Sequence, residues 1–479
     1  MAYREGNRYQ MTLLPPVIDE YVGPEDPVRA YDAMVDAMDI RELGLVTDSN
    51  QVGNPAYEPR AMLKLLVYGY SYGWRSSRKL ERACHHDLSF IWIMGGLKPD
   101  HKTISNFRKN NKAPVARILK QCARICIKLD MIEGNCLFAD STKVRGSASI
   151  SQTKTTEKWE QKLGEVDKRI EELLAECDEI DESETGSLVK AEKELKDKQR
   201  LQRKIKGLVE QMEREGLEKI NGTDTECVNF KGRQGSHAGY SAHIAADEKH
   251  GLIVSTGVVN ESSDSHQFSN QIEQAMETLG KPCRTAVADA GYANVENIQQ
   301  TTEKNIDVIV PSQRQALHTP ADDPFGKDKF RYDSENDQYI CPEGNRLRYS
   351  HYSNVKGHYL YRIEKASLCQ TCPHFGVCTT SRRGRTMIRL RNEELREKLE
   401  ARCASEAGQA IYKKRKEKVE LPFGHIKRNL NSGAFLVRGL SGVNAEFAIL
   451  ASCFNIARMI TLTGGVSNLI NRLAVPRTP

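Results

Sequence analysis

Three acidic residues stand out by type and setting: Asp140, Asp289 and Glu420. Asp140 closes the apolar run Cys136–Ala139, which follows a Gly134-Asn135 turn, so it reads as a carboxylate delivered at the end of a buried strand. Open sheets place their chemistry at such a rim. Taken alone, the same aspartate reads at least as well as a cap for a turn begun by Ser141 and Thr142. Asp289 repeats the pattern, ending the run to Ala288 with Ala290 and Gly291 permitting a close turn. Glu420 lies on a late helix beside a basic stripe. Tyr412, Lys416 and Glu420 are four apart, which puts them on one helix face, and Lys427 follows about two turns on. Pro422 and Gly424 predict a kink between them. Three carboxylates drawn together repel, so a site of this kind requires cations. Mg²⁺ prefers oxygen ligands, and two such ions about 3.5–4 Å apart activate an attacking oxygen and stabilise a leaving one. Basic residues near the glutamate would hold a phosphodiester backbone.

The elements that position these residues follow from periodicity. Residues 1 to about 45 read as an arm, with a turn at Leu13–Val17 and a helix over Pro27–Leu43. Pro55–Asn111 reads as a compact helical block resembling a helix-turn-helix. Its last helix, opening at Pro99, offers Lys102, Thr103, Asn106, Arg108 and Lys109 to phosphate or bases. A wet face on an ordinary bundle is the equal alternative. Val115–Leu129 is helical and leads into the Asp140 strand, and Lys143, Arg145 and Ser147 extend a basic loop after it. Trp159, Leu163, Val166, Ile170, Leu173, Cys177 and Ile180 form a heptad seam. After a polar turn at Asp181–Ser187, Leu201, Ile205, Leu208 and Met212 repeat it, so an inserted antiparallel helical hairpin is expected. Strands are then expected at Thr225–Lys231, Tyr240–Ala246 and Leu252–Val259, the last two joined at Asp247–Gly251. Helices over Gln267–Leu279 and Val295–Glu303 and a strand at Asp307–Pro311 complete a mixed α/β sheet flanked by helices.

Residues 313–390 interrupt that order. Cys341, Cys369, Cys372 and Cys378 include one Cys-x-x-Cys pair, which fits a structural Zn²⁺ as well as it fits reduced thiols packed in a small β subdomain. A long helix over Asn392–Arg428 and a core helix over Asn444–Ile460 follow, with a loose tail from Arg472. The expected division is 1–130 (helical, DNA-binding or dimerising), 131–156, 221–312 and 391–479 (catalytic), 157–220 (hairpin) and 313–390 (cysteine-containing).

The chain of 479 residues exceeds one compact core, and its net charge of +6 is too mild to imply nucleic acid without the local clusters. Met1–Gln10 lacks a signal pattern, and the apolar stretch Phe447–Ile460 is interrupted by Asn455 and Arg458. A cytoplasmic protein without a membrane span is expected. Its thirteen cysteines then read as thiols or metal ligands rather than a disulfide framework.

Taken together and in order, Pro99-Asp-His-Lys-Thr-Ile-Ser-Asn-Phe-Arg108, Ala139-Asp-Ser-Thr142, Ala288-Asp-Ala-Gly-Tyr292 and Glu420-Leu-Pro-Phe-Gly-His-Ile-Lys427 resemble the DDE transposases of bacterial insertion sequences, from the branch with a Tyr-Arg-Glu-Lys signature. The resemblance implies an RNase H-like catalytic fold and divalent-metal cleavage and transfer of DNA strands. It implies Asp140, Asp289 and Glu420 as ligands of Mg²⁺ or Mn²⁺, two ions in all. Tyr412, Arg415 or Lys416, Lys427 and Arg428 would contact the element end. The family spaces arginine and glutamate by three residues. Here four separate Arg415 from Glu420, and Lys416 takes the usual place. The implied partners are double-stranded DNA, as terminal inverted repeats and target, and a second copy of the chain. A DNA-binding regulator derived from such an enzyme, or a metal-dependent nuclease without strand transfer, are the alternatives.

Overall fold

The computed structural model describes residues 17–45, 56–183, 188–232, 235–316, 324–354 and 357–474. The Leu13–Val17 turn therefore falls almost wholly outside the described residues, as does most of the Asp181–Ser187 turn. The chain divides into two compact units. One comprises Met1–Asp264, Glu273–Pro282 and Lys416–Pro479; the other comprises Ser265–Ile272 and Cys283–Arg415.

The first unit is built around the helix Leu440–Thr463. Among the described residues it is the one helix long and apolar enough to cross a membrane, yet 72% of that window is buried inside the fold. It is a core helix, as its internal Asn455 foretold. The helices Pro59–Ser71 and Ile118–Lys128 pack on it. Pro59–Ser71 is apolar around most of its circumference and buries Met62, Leu63, Leu65, Leu66, Val67 and Tyr70. Two expected helices are each broken in two. Pro27–Leu43 divides into Pro27–Asp36 and Ile40–Leu43, because the Asp39 carboxylate accepts Arg41 N–H at 2.8 Å and starts a new helix. Val115–Leu129 becomes Lys112–Ala116 and Ile118–Lys128, joined at Arg117. The expected loose tail begins as a helix, Val466–Ala474.

The Asp140 strand runs Cys136–Arg145, antiparallel to Gly235–Asp247. The other edge of Gly235–Asp247 pairs with Val228–Gly232 and Ile253–Val259. The connection before Ile253 turns at Gly251, whose φ of +68° favours glycine. The outer strand Ile253–Val259 is covered by the core helix through two asparagines. Asn455 Oδ1 accepts Ile253 N–H at 2.8 Å and its Nδ2 donates to Ile253 O at 2.8 Å. Asn444 does the same to Val258, at 2.8 and 3.0 Å. Asn455 is fully buried, so Asn455→Leu would strand a backbone donor and an acceptor away from water. The expected cost is about 2 kcal/mol, read as a lower urea midpoint at unchanged slope. An unchanged midpoint would show that the contact does not hold the strand.

The helical hairpin forms as its seam predicts. Helices Thr156–Ser183 and Leu188–Glu215 bury Trp159, Val166, Ile170, Ile205, Leu208 and Met212 in one cluster. At its base Thr153–Thr155 pairs antiparallel with Lys219–Asn221, and Trp159 Nε1 donates to Ile220 O at 3.3 Å.

In the second unit, Thr285–Val287 and Asp307–Ile309 pair in parallel. The cysteine-containing segment is a five-stranded antiparallel sheet, Arg331–Asp333 through Thr386–Leu390, over a core of Phe330, Tyr339, Leu347, Tyr361, Ile363 and Met387. The expected helix Asn392–Arg428 is interrupted. Glu393–Ala404 ends where Ser405 caps Glu406–Lys413, its Oγ accepting Gly408 N–H at 3.1 Å. From Lys416 onward, in the first unit, the backbone is π-helical over Lys416–Glu420, α-helical over Leu421–Gly424 and π-helical again over His425–Asn429.

Candidate functional site

Asp140 is the fifth residue of a ten-residue strand, not its tip, because pairing continues through Arg145. Lys143 and Arg145, expected in a loop, are strand residues. Alternation puts Asp140 and Thr142 on one face and Ser141 and Lys143 on the other. Asp140 is 8% exposed, and its Oδ1 accepts Ser141 N–H at 2.8 Å.

The π-turn bearing Glu420 packs against both the Asp140 strand and its neighbour Gly235–Asp247. Val419, fully buried, anchors it, and Glu420 is exposed. The second π-turn brings Lys427 back to the same strand. Its Nζ donates to Thr142 Oγ1 and, at 3.4 Å, to Lys143 O. Thr142 lies on Asp140's face, so the Glu420 segment is fastened to that face. Burial pushes the Lys427 ammonium below its usual range. This lysine ties helix to strand rather than standing free for DNA. The face shared by residues four apart also fails past Lys416, because a π-turn bonds residue i to i+5.

Asp289 lies in the second unit. It follows the Thr285–Val287 strand and caps the turn Ala290–Tyr292, its Oδ1 accepting Gly291 N–H at 2.9 Å. Arg415 Nη2 reaches its Oδ2 at 3.1 Å. Arg415, 12% exposed, is thus engaged with the second carboxylate. Tyr412 sits in the same unit on the helix Glu406–Lys413, half-buried.

The other expected contacts divide. Lys102, Lys416 and Arg428 are exposed. Arg108 is not available to phosphate: its guanidinium donates to Arg75 O at 2.6 Å, Tyr70 Oη at 3.3 Å and Ser77 Oγ. It fastens the turn between two helices of the N-terminal block.

Cys341, Cys369, Cys372 and Cys378 line one small cavity of about 30 Å³ with His374. Three of them pack against the subdomain's apolar core. Burial raises the Cys378 thiol, and His374 meets Glu343 at 3.0 Å. Among the described residues no three His, Cys, Asp or Glu side chains are grouped to hold a metal ion. The four thiols thus share one small cavity, an arrangement open to packed thiols and to a bound metal alike.

Sequence reasoning missed a second cluster, on the opposite face of the Asp140 strand. Asp264 accepts from Ser141 Oγ at 2.7 Å, Ser241 Oγ at 2.8 Å and Lys143 Nζ at 3.0 Å, with His243 Nε2 at 3.4 Å. These side chains share a face because Ser141 lies opposite His243 and Lys143 opposite Ser241. Only the register reveals this; Ser262-Ser-Asp-Ser265 reads as a polar loop. Burial pushes the His243 imidazole down to about 4. Burial alone would raise Asp264, but the Ser141 and Lys143 bonds hold it below the usual carboxylate range. The folded histidine thus stays neutral where the unfolded chain, titrating near 6.5, takes up a proton. Its contribution is complete above about 6.5 and is lost as pH falls toward 4. At about 1.4 kcal/mol per unit, the loss is roughly 2–3 kcal/mol. Asp264 adds a loss in the same direction below 3.8. Urea midpoints across that window should fall, and fall less in His243→Asn; equal falls would exclude His243 as the cause.

Residues 340–460 match the family model of the transposase DDE domain. Residues 16–110 match that of a transposase domain (DUF772). These two segments are thus similar to transposase domains, one of them of the DDE type. The first match runs from the cysteine-containing sheet through Glu420 and Lys427 into the core helix; the second covers the N-terminal helical block. Of the three carboxylates, only Glu420 falls inside a matched segment. Transposases of this type act on DNA and generally use divalent metals. No curated protein matches the chain.

Proposed function

We propose that this chain is a DNA transposase that cuts the ends of an insertion element and joins them to target DNA, on an RNase H-like catalytic domain of the Tyr-Arg-Glu-Lys branch. One observation carries the reading: the Glu420 π-turn is seated on the Asp140 strand and fastened there by Lys427. π-turns inside α-helices also mark functional sites often. Asp140, Asp289 and Glu420 are the proposed carboxylates for Mg²⁺ or Mn²⁺, two ions in the active form; an all-oxygen donor set suits these cations. Arg415 is proposed to hold Asp289 in place, and Lys416, Arg428 and Tyr412 to meet DNA. The proposed partners are duplex DNA and a second copy of the chain, in the cytoplasm.

The test is a strand-transfer assay using duplexes made from the inverted repeats that flank the gene, with supercoiled plasmid as target. Joined products support the reading. Cut ends that are never joined identify a nuclease. Duplex binding with neither product identifies a regulator.

A further inference from the structure

In the first unit a groove of about 370 Å³ opens between the His101–Asn110 and Lys112–Ala116 helices and the segment leading into Leu440–Thr463. Lys109, Lys112 and Arg438 line it, with the hydroxyls of Ser105 and Ser147 and with Arg108, whose guanidinium is already tied to Arg75 O. Its one carboxylate, Glu446, is 1% exposed and already bound to Arg75 at 2.7 Å. Among the described residues none of Lys109, Lys112 and Arg438 has a carboxylate partner. Arg438 donates only its Nε, to Ser147 O at 2.9 Å. Together with Arg108 these cations repel each other in one groove, and an anion relieves that repulsion.

The shape of the charge selects the anion. Lys102, exposed outside the groove, is spaced three and four from Ser105 and Lys109, so it extends their row along one face of the helix. From Lys102 to Lys109 the row spans about 10 Å. That exceeds one phosphate but matches a duplex carrying a charge every ~1.7 Å of axis. The groove is also set before any ligand arrives. Leu436 and Val437 N–H bond Glu446 at 2.9 and 3.1 Å, and Leu440 N–H bonds Glu226 at 2.9 Å. Ser147 lies seven residues past Asp140, within about 23 Å of extended chain.

We propose that this groove grips the sugar-phosphate backbone of duplex DNA without reading its sequence, holding a stretch of duplex near the Asp140 strand. The proposal rests on the transposase reading. It adds a contact made by the N-terminal block and the C-terminal segment together, one that does not use the signature residues.

The test is fluorescence anisotropy of the full chain with random-sequence duplex over a salt series, comparing wild type with the triple variant K109Q/K112Q/R438Q. The groove predicts that the log-affinity against log-salt slope flattens by about 2–3, near one per cation removed. It also predicts that affinity at moderate salt falls by a hundredfold or more. An unchanged slope overturns the groove while wild-type binding leaves the transposase reading standing. An equal loss in K190Q/K193Q/K196Q, on the hairpin, would show a net-charge effect and also overturn it. Absence of wild-type binding at any salt overturns both readings. Strand transfer by the triple variant at very high DNA concentration, with cleavage chemistry intact, would support a gripping role.

Discussion

Glu420→Gln should abolish strand cleavage, by on the order of a thousandfold or more, while duplex affinity and melting temperature stay close to wild type. The structure makes this substitution the cleanest of three. Glu420 is exposed at the end of its π-turn, and among the described residues its carboxylate has no hydrogen-bond or ion-pair partner. Removing its charge therefore strands nothing. Asp140→Asn acts on a side chain that is 8% exposed and accepts Ser141 N–H, so a loss there mixes chemistry with folding. Asp289→Asn breaks the Arg415 pair. If Glu420→Gln cleaves at the wild-type rate, the carboxylate assignment fails, whatever the other two show.

Glu446→Gln should be the most destabilising conservative change in the first unit, at about 3–5 kcal/mol. Glu446 and Arg75 are 1% and 8% exposed and meet at 2.7 Å. The guanidinium also donates to Ala434 O at 2.9 Å and Asn431 O at 2.8 Å. The carboxylate accepts Leu436 and Val437 N–H. Burial drives its carboxyl upward, and Arg75 opposes this. Neutralising one member leaves a buried charge without its counter-ion. The companion Arg75→Met/Glu446→Leu should recover part of the loss, because desolvating both charges offsets much of their attraction. Chemical denaturation of the two singles and the double measures the coupling; additive losses would show that the two charges do not act together. The loop they hold also passes its backbone to the Asp140 strand, Phe435 N–H to Arg145 O at 2.8 Å. Weaker cleavage should therefore accompany the loss of stability.

Much of the fold was legible because its elements repeat with clear periods. The heptad seam gave the hairpin, and the alternation around Asp247–Gly251 gave two strands of the sheet. Asn455 and Arg458 correctly marked an apolar helix as internal. Where a cap or pairing partner decided, the reading slipped. Asp39 cut one helix, Ser405 cut another, and the long Gly235–Asp247 strand carried Asp140's strand five residues past its expected end. The carboxylates could be singled out by type and setting, but the fate of the cations could not. Arg108, Arg415 and Lys427 all read as phosphate ligands, and each has a protein partner that lies far away in sequence. The Asp264 cluster, visible only through strand register, left no trace in local pattern.

The two short strands at the hairpin's base have a consequence for how the chain tolerates change. Thr155 lies directly opposite Lys219, so the entry and exit of roughly sixty residues are about one strand spacing, near 5 Å, apart. Excising the coiled segment and closing the gap with a tight reverse turn would leave the surrounding connectivity as it was. The same doorway would accept a foreign domain whose termini are close together.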